Sequence, residues 1–586
     1  MSVESIITEN LDIWTSAIKT KSALGRGSSK KLELYGIKKL RELILELAIR
    51  GKLVPQDTSE EPTSQLLKTI ELNKLKLVKD KKIRKPKALH AIEEAELPFP
   101  IPSSWSYVRL NSIGDWGSGS TPKRSISEYY GGEIPWFKSG ELSADYIHTS
   151  EETVTERALE ETSLRYNNIG DVLIAMYGAT IGKTSILNVR GATNQAVCAC
   201  TPFDGVVNTY LLLLLKAYKS RFIGMGAGGA QPNISREKII STVVPLPPQI
   251  EQKRIVSKVE ELMDLCNQLE SQTEASIEAH QTLVKSLLET LTNAKDADEL
   301  NESWHRISAH FDVLFTTEDS IDQLKQTILQ LAVMGKLVKQ DPNDEPASKL
   351  LERIAADKEQ LIKDRKIKKP KPLPQISKEA LMDNLPKGWD VGRINDISVI
   401  LDPNPSHRYP SYENGTVPLL STREFSGEDG WQIRDAKLVP EDFYQYQKDL
   451  CDFNYRDLVF ARKGRLGLAR KLPDFDKFTF SHTIFIVKPL NEMNEDFLLV
   501  LFKRNKFIDG LMDEMNANVG VPTLGKAKLE SMALGIPPKE EQFRIVKKVE
   551  KLMKLCDSIS DKVSSLTILQ NELANTLALE IFEEKK

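Results

Sequence analysis

The sequence predicts an α+β protein made by internal duplication with pseudo-two-fold symmetry, in which two globular inserts are separated by two long antiparallel coiled-coil helices. Three observations predict it. GKLVPQDTSEEPTSQLLKTI, from Gly51, returns 284 residues on as GKLVKQDPNDEPASKLLERI, from Gly335. Over Gly51 to Lys87, 21 of 37 positions are identical without a gap, which marks a duplicated unit and not a composition effect. EQKRIVSKVEELMDLC, from Glu251, returns 290 residues on as EQFRIVKKVEKLMKLC, from Glu541, with 12 of 16 positions identical. The segments between these blocks share little sequence, although the offset drifts by only six residues across them. A constant frame carries two unlike inserts.

The elements follow in order. Residues 1–96 form a helical frame, 97–246 the first insert, 247–295 a long helix, 296–383 the second frame copy, 384–536 the second insert and 537–586 a second long helix. In the frame, Leu40, Ile44, Leu47 and Leu324, Ile328, Leu331 lie on helix faces that either pack on the long helices or meet a partner. From Glu251 to Asn293 there is no proline or glycine, and a heptad seam runs Val259, Leu262, Cys266, Leu269, Thr273, Ser276, His280, Leu283, Leu287. Its copy runs Val549, Leu552, Cys556, Ile559, Val563, Leu566, Gln570, Leu573, Leu577, with Pro247-Pro248 and Pro537-Pro538 as start signals. Each helix should run about 40 residues, or ~60 Å, and cannot bury its seam alone. Two copies in one chain can satisfy each other as an antiparallel spacer with an insert at each end. The alternative is that each packs on its own globular domain. The inserts are strand-and-turn writing: IPWFKS, DVLIAMYG, KTSILNV and NQAVCACTP in the first, VPLLST, DLVFARKG and HTIFIVKP in the same order in the second. Asp171-Val172-Leu173 corresponds to Asp457-Leu458-Val459, Pro135 to Pro418 and Glu141 to Glu424, with helices expected around Asn208 to Ser220 and Glu495 to Asn505.

Composition narrows the class. With 586 residues, 40% hydrophobic and 28% charged, the chain is an ordinary multidomain protein. Its longest aliphatic run, Leu211 to Leu215, is far below the ~20 residues of a membrane span. MSVESIITENLDIW carries no export signal, so the cytoplasm is expected. Cys198, Cys200, Cys266, Cys451 and Cys556 form no CxxC pair, which argues for reduced thiols and against zinc. A net charge of −3 argues against a uniform basic coat, yet KLKLVKDKKIRKPK from Lys74 and KDRKIKKPK from Lys363 concentrate positive charge at equivalent places. Such runs are either a phosphate footprint or a solvated helix face.

Catalytic motifs fail on inspection. GATIGKTS, from Gly178, has three residues between the first glycine and GK where a P-loop has four, and the second insert has Gly464-Arg465-Leu466-Gly467 in that place. A turn between two strands is the better reading. GMGAGG, from Gly224, reads as a loop. No HExxH, GxSxG, NPPY or DPPY occurs, and the seven histidines, His148 and His482 among them, are scattered.

The openings LPFPIPSSWSYVRL (Leu97) and NLPKGWDVGRI (Asn384), with SGSTPKRSISEYYGGEIPWFKSGEL (Ser118), YGATIGKTSIL (Tyr177), GGAQPNISREKI (Gly228), PLPPQIEQKRIV (Pro245) and GIPPKEEQFRIV (Gly535), resemble the DNA-specificity subunit of type I restriction-modification enzymes over nearly the whole chain. The second insert departs with NANVGVPTLGKAKL from Asn516. The resemblance implies that each insert is a target recognition domain reading one half of a bipartite, asymmetric site on double-stranded DNA. It implies that the frame recruits two methyltransferase subunits and, through them, two restriction and translocase subunits. This chain would be non-catalytic and hold no cofactor or metal, with S-adenosylmethionine, ATP and magnesium on the partners. Base edges are read by Arg, Lys, Asn and Gln, and phosphates are held by Ser, Thr and backbone N–H groups. The expected contacts in the first insert are Ser118, Ser120, Thr121, Lys123, Arg124, Lys138, Ser139, Tyr177, Lys183, Asn194, Gln195, Gln231 and Asn233. In the second they are Asn404, Ser406, His407, Arg408, Thr422, Arg423, Arg462, Lys463, Arg465, His482 and Thr523. The rival readings are a protein-interaction scaffold, whose partners would not include DNA, and a P-loop hydrolase, which would need Lys183 for ATP.

Overall fold

The computed structural model of the chain describes residues 7–21, 31–85, 89–226, 232–295, 297–370, 373, 385–427, 429–512 and 523–583. The expected boundary at Asn384 lies outside them. The chain divides into two compact units, Met1–Ser276 with Thr567–Lys586, and Ile277–Leu566.

In the first unit the frame helices are α1 (Tyr35–Ile49) and α2 (Thr63–Lys79). Leu40, Leu43, Ile44 and Leu47, at helical spacing, are all buried. These side chains therefore pack inside the chain and do not meet a partner. Helix α1 ends because Gly51 takes φ +68°, so that Lys52 N–H reaches Leu47 O at 3.0 Å. A Cβ there would also stand 2.5 Å from Pro102 Cγ. Glycine is required twice over.

The insert enters on β1 (Ser106–Arg109) and leaves on β10 (Val243–Leu246), and these two strands pair antiparallel. A five-stranded sheet runs β2 (Gly114–Ser118), β9 (Val197–Pro202), β6 (Val172–Ala175), β7 (Thr184–Leu187), β4 (Tyr146–Ile147), and a three-stranded one β8 (Ala192–Thr193), β3 (Tyr130–Phe137), β5 (Thr153–Val154). Their inner faces are the aliphatic and aromatic runs read as strands from the sequence. The segment GATIGKTS is the turn between antiparallel β6 and β7. Helix α3 (Asn208–Ala217) buries Leu211 to Leu215, and α4 (Arg236–Ser241) leads into β10. The long helix α5 follows as Gln249–Asn293, 45 residues.

The second unit repeats the plan. Helices α6 (Glu318–Val333) and α7 (Ala347–Lys363) form the frame, with Leu324, Ile328 and Leu331 buried. The insert enters on β11 (Asp390–Arg393) and leaves on β21 (Ala533–Ile536), again an antiparallel pair. Its sheets run β12 (Ser398–Leu401), β20 (Ile484–Pro489), β17 (Leu458–Ala461), β18 (Ala469–Lys471), and β16 (Lys437–Val439), β13 (Val417–Leu420), β19 (Thr479–Phe480), with a hairpin of β14 (Phe425–Ser426) and β15 (Gly430–Trp431). Helix α8 (Glu495–Phe502) stands where α3 stood and α9 (Lys526–Ser531) where α4 stood, before α10, Lys539–Glu583.

Both long helices depart from the strict heptad. Ser276, Leu283, Leu566 and Leu573 are exposed, Leu283 at 51% and Leu566 at 55%. The covered positions instead continue Thr273, Ile277, His280, Val284, Leu288, Leu291 in α5, and Val563, Thr567, Asn571, Ala574 in α10. A strict seven-residue repeat drifts by about 20° per heptad from a straight α-helix, and here the buried face keeps the 3.6-residue period. Each frame helix lies along its own long helix. Arg41 of α1 bonds Asn267 at 2.8 Å and Glu270 at 2.7 Å, and Lys325 of α6 pairs with Asp557 at 2.6 Å. In the second unit Val284 and Leu288 of α5 share one core with Ile545, Val549 and Cys556 of α10.

Where each long helix starts, a buried Glu–Gln pair gathers the surrounding chain. Glu251 accepts from Trp105 Nε1 at 3.0 Å and Gln56 Nε2 at 2.6 Å, and Gln252 accepts from Val207 N–H while donating to Pro247 O. Glu541 accepts from Trp389 Nε1 at 3.1 Å and Gln340 Nε2 at 2.7 Å, and Gln542 accepts from Asn494 N–H while donating to Pro537 O. Burial pushes both carboxyls above the ordinary glutamate range. The folded state thus binds its proton more tightly than the unfolded chain, so this contribution is full below the unfolded pKa and is lost as pH rises through the folded one. Relative to Glu251→Gln and Glu541→Gln, the natural chain should gain stability as pH falls from 8 to 5. Thermal unfolding of the three proteins across that range measures it, and a constant difference would refute the assignment.

Candidate nucleic-acid interface

In the first insert the ends of β2, β3, β6 and β8 open onto one rim. Gly119, just past β2, passes so close to the neighbouring turn that a Cβ would stand 2.2 Å from Asn194 O. Ser120 N–H donates to Thr193 O at 3.0 Å, and the Thr121 hydroxyl bonds Gln195. Lys138, just past β3, and Arg124, ahead of it, both pair with Glu152. These two cations hold the Glu152 carboxyl below its usual range. The Arg124 guanidinium also stacks 4.5 Å from the Tyr130 ring and 5.2 Å from Trp136, which aims it while leaving the side chain 56% exposed. Past β6, Lys183 reaches Gly140 O beside Ser139, and Tyr177 bridges Asn233 just ahead of α4. Ser118, at the end of β2, pairs with Cys198.

These bonds bring the expected residues of the first insert together in local groups, Thr121 with Gln195, Arg124 and Lys138 on Glu152, and Tyr177 with Asn233. Lys123, Gln195 and Asn233 are exposed, and Lys123 has no ion pair among the described residues. Asn194 is committed locally, its Oδ1 accepting from Ala196 N–H at 3.1 Å. Gln231 lies outside the described residues.

The second insert forms the equivalent rim with other chemistry. The bridge of Tyr177 to Asn233 is matched by Lys463 to Thr523. Ser406, His407, Arg408 and Arg423 are exposed. His407 stacks on His482, centroids 4.7 Å apart, and Tyr409 Oη meets His482 Nδ1 at 2.5 Å. Burial, then the facing His407, lowers the His482 pKa, and Lys463 and Arg462 act in the same direction. Three expected contacts are structural. Asn404 is fully buried, donating to Arg408 O and accepting from Ser406 Oγ. Arg462 is held by Asp402 at 2.7 Å, by Leu524 O at 3.2 Å and over the Phe485 ring at 4.4 Å. Thr422 is buried against Lys463 O. Arg465 is half-committed through Phe425 O at 2.9 Å.

Sequence reasoning missed Tyr409, Tyr412, Gln432 and Lys437, which join Arg423 and His482 around a concavity of about 540 Å³. The signal was present as two tyrosines in RYPSY after the chosen His407-Arg408, but nothing in their spacing tells a surface tyrosine from a core one. It also missed Arg470. That side chain is buried over the Phe425 ring at 3.8 Å and donates to Gly430 O, which pins the hairpin of β14 and β15.

Among the described residues no group of His, Cys, Asp or Glu could hold a metal ion, and no helix is long and apolar enough to cross a membrane. All five cysteines are buried, and burial pushes the Cys198 thiol up to about 12 and that of Cys266 to about 11. What the surface offers is hydrogen-bond donors, cations and aromatic faces.

The sequence matches the type I restriction modification DNA specificity domain twice, at residues 102–279 and 386–566. The chain belongs to that family. It is 38% identical to the type I restriction enzyme EcoAI specificity subunit of Escherichia coli, over 98% of this chain and 99% of the relative. It is 37% identical to the EcoEI specificity subunit of the same organism, again over 98% and 99%. A crystal structure of the HsdS subunit from Thermoanaerobacter tengcongensis is similar at 14% identity, over 84% of this chain and 99% of that one, with a TM-score of 0.40. As a specificity subunit the chain recognises DNA and is itself non-catalytic, working in a complex with other subunits.

Removing Arg462 and removing Arg423 should therefore differ in kind. Arg462→Ala removes the guanidinium that pairs with Asp402 and caps Leu524 O, and should cost about 1–3 kcal/mol of stability, lowering the melting temperature together with DNA binding. Arg423→Ala should leave melting unchanged and weaken DNA binding alone. Equal melting temperatures for the two variants would refute the division.

Proposed function

We propose that each insert reads one half of a bipartite, asymmetric site on double-stranded DNA with the exposed and half-buried residues of its rim. In the first these are Lys123, Arg124, Lys138, Tyr177, Lys183, Gln195 and Asn233, and in the second His407, Arg408, Arg423, Lys463, Arg465 and His482. One observation carries the reading. The duplication kept the buried Glu–Gln contacts in matching detail, while the rims above them diverged from paired cations on Glu152 to stacked histidines beside Tyr409. Equal frames suit equal partners, and unlike rims suit unlike half-sites. Cations and amides at base edges supply direct readout, and hydroxyls and backbone N–H groups supply phosphate positioning.

The repeated frame recruits two methyltransferase subunits and, through them, two restriction and translocase subunits, at work in the cytoplasm. The partners bring S-adenosylmethionine, ATP and magnesium and the pocket for the flipped base. This chain contributes positioning. A scaffold reading would leave the DNA affinity of the complex independent of the rims.

Methylome sequencing of cells carrying the complex gives the site. Exchanging the first insert for that of a relative should then change one half of the motif and leave the other as it was. Arg124→Ala should relax choice or weaken binding within that half by about 1–3 kcal/mol for a base contact, and by less for a phosphate contact. Movement of both halves after one exchange would replace two readers by a single composite surface. Native mass measurement should find two methyltransferase chains per copy of this chain, and a stable final one-to-one complex would refute recruitment by duplication.

A further inference from the structure

The segments that follow α2 and α7 belong to neither rim. Lys79 to Lys85 and Lys363 to Lys369 each carry five basic residues and one aspartate. Both adopt the same fold. Lys81 takes φ +58° and Arg365 φ +57°, while Lys82 N–H donates to Leu77 O and Lys366 N–H to Leu361 O, each at 2.9 Å. The ten basic side chains are exposed, and among the described residues none forms an ion pair. Two basic knuckles of the same backbone form result.

The duplication discloses what was retained in them. Position 81 is Lys where its copy, 365, is Arg, and position 84 is Arg where its copy, 368, is Lys. Charge survives while the hydrogen-bonding group changes in both directions. On the helix just before, Lys76 has become Gln360 and Leu75 has become Glu359. A solvated face has no reason to keep sign at some positions and abandon it at the neighbours. Free exchange of the arginine fork for lysine in both directions argues against a bidentate contact and for recognition of charge alone. A row of backbone phosphates met as point charges accepts either cation, and a charged surface spread over several positions at each knuckle suits such a row.

Each knuckle also follows a helix that packs against the base of its own insert, beside the strands on which the insert enters and leaves. In the second unit Lys358 of α7 bonds Asn395 O, next to α9, whose chain has just left Thr523 on the rim. In the first, α2 and Lys85 face Asn111 and Ser112 across a cavity of about 620 Å³, and Arg109 beside them bonds Ser241 O at the end of α4, which has just left Asn233. The knuckles therefore lie next to the root of each insert and outside its rim, where a duplex held by the rim would continue past the half-site.

We propose that the two knuckles hold backbone phosphates of the duplex flanking each half-site, as contacts indifferent to sequence. This rests on the inserts reading DNA, and the test separates the two. The chain assembled with its methyltransferase partner is titrated onto labelled duplex carrying its site, or the site with one half scrambled, over a range of salt. Neutralising one knuckle, K81Q/K82Q/R84Q/K85Q or R365Q/K366Q/K368Q/K369Q, should make the slope of log Kd against log salt shallower by about 2 to 4, at roughly 0.9 per phosphate, and weaken binding about tenfold or more. The ratio between intact and scrambled site should stay constant. The single changes K82Q and K366Q, which leave the cap bonds in place, should each reduce the slope by about one. The exchange K81R/R84K should change nothing. An unchanged slope in the multiple variants overturns the proposal in favour of a solvated face, and loss of methyltransferase chains with an unchanged slope overturns it in favour of an acidic protein surface. A natural complex that binds intact and scrambled duplex alike would instead overturn the reading by the inserts.

Discussion

A carboxylate buried beneath a tryptophan is the constraint on which each half of this protein depends. Glu251 and Glu541 are each about 1% exposed, and burying such a group is costly unless its oxygens are hydrogen-bonded. The donors come from two separate parts of the chain, the frame through Gln56 or Gln340 and the start of the insert through Trp105 or Trp389, while the carboxylate itself belongs to the long helix. The adjoining Gln252 or Gln542 ties in the chain that enters α3 or α8. Frame, insert and helix are thus fixed relative to one another within each unit at a single buried point. Two prolines just ahead of the pair end the last strand of the insert and start the helix.

The ladders β1 with β10 and β11 with β21 explain how the inserts were free to diverge. Each insert starts and finishes on one antiparallel pair directly above the Glu–Gln contacts, so its outer loops change without moving its anchorage. Selection then acted on two separable parts. In the first rim a glutamate between two cations sets the positions of Arg124 and Lys138, and aromatic rings beneath Arg124 hold it at the surface. In the second, two tyrosines and His482, on which His407 stacks, line a concave face, and a buried Arg470 fastens the neighbouring hairpin. The two surfaces offer a duplex different donors in different shapes.

Legibility in the sequence followed the kind of physics involved. The duplication, the strand order shared by the inserts, the strand turn at GATIGKTS and the long helices were readable because each rests on local spacing or on direct repetition. The continuation of the seam past Thr273 was not. The choice between Leu283 and Val284 depends on whether the helix supercoils, which is decided by what packs against it, and Leu283 is left 51% exposed. Asn404 and Arg462 look in sequence like Arg423 and Arg408. Only the fold brings Asp402 and Leu524 to Arg462 and so removes it from the surface.

By itself, then, the sequence determined that one frame was built twice and that two α+β inserts hang from it, because periodicity and repetition are properties of the chain. It also determined the positive charge of the segments after α2 and α7, since that charge persists through exchange of Lys and Arg. The tertiary structure decided which polar residues remain available. A guanidinium, amide or hydroxyl buried against a carboxylate and carbonyls from elsewhere in the fold is withdrawn from DNA, and that pairing joins residues far apart in sequence, as Arg462 meets Asp402 and Leu524.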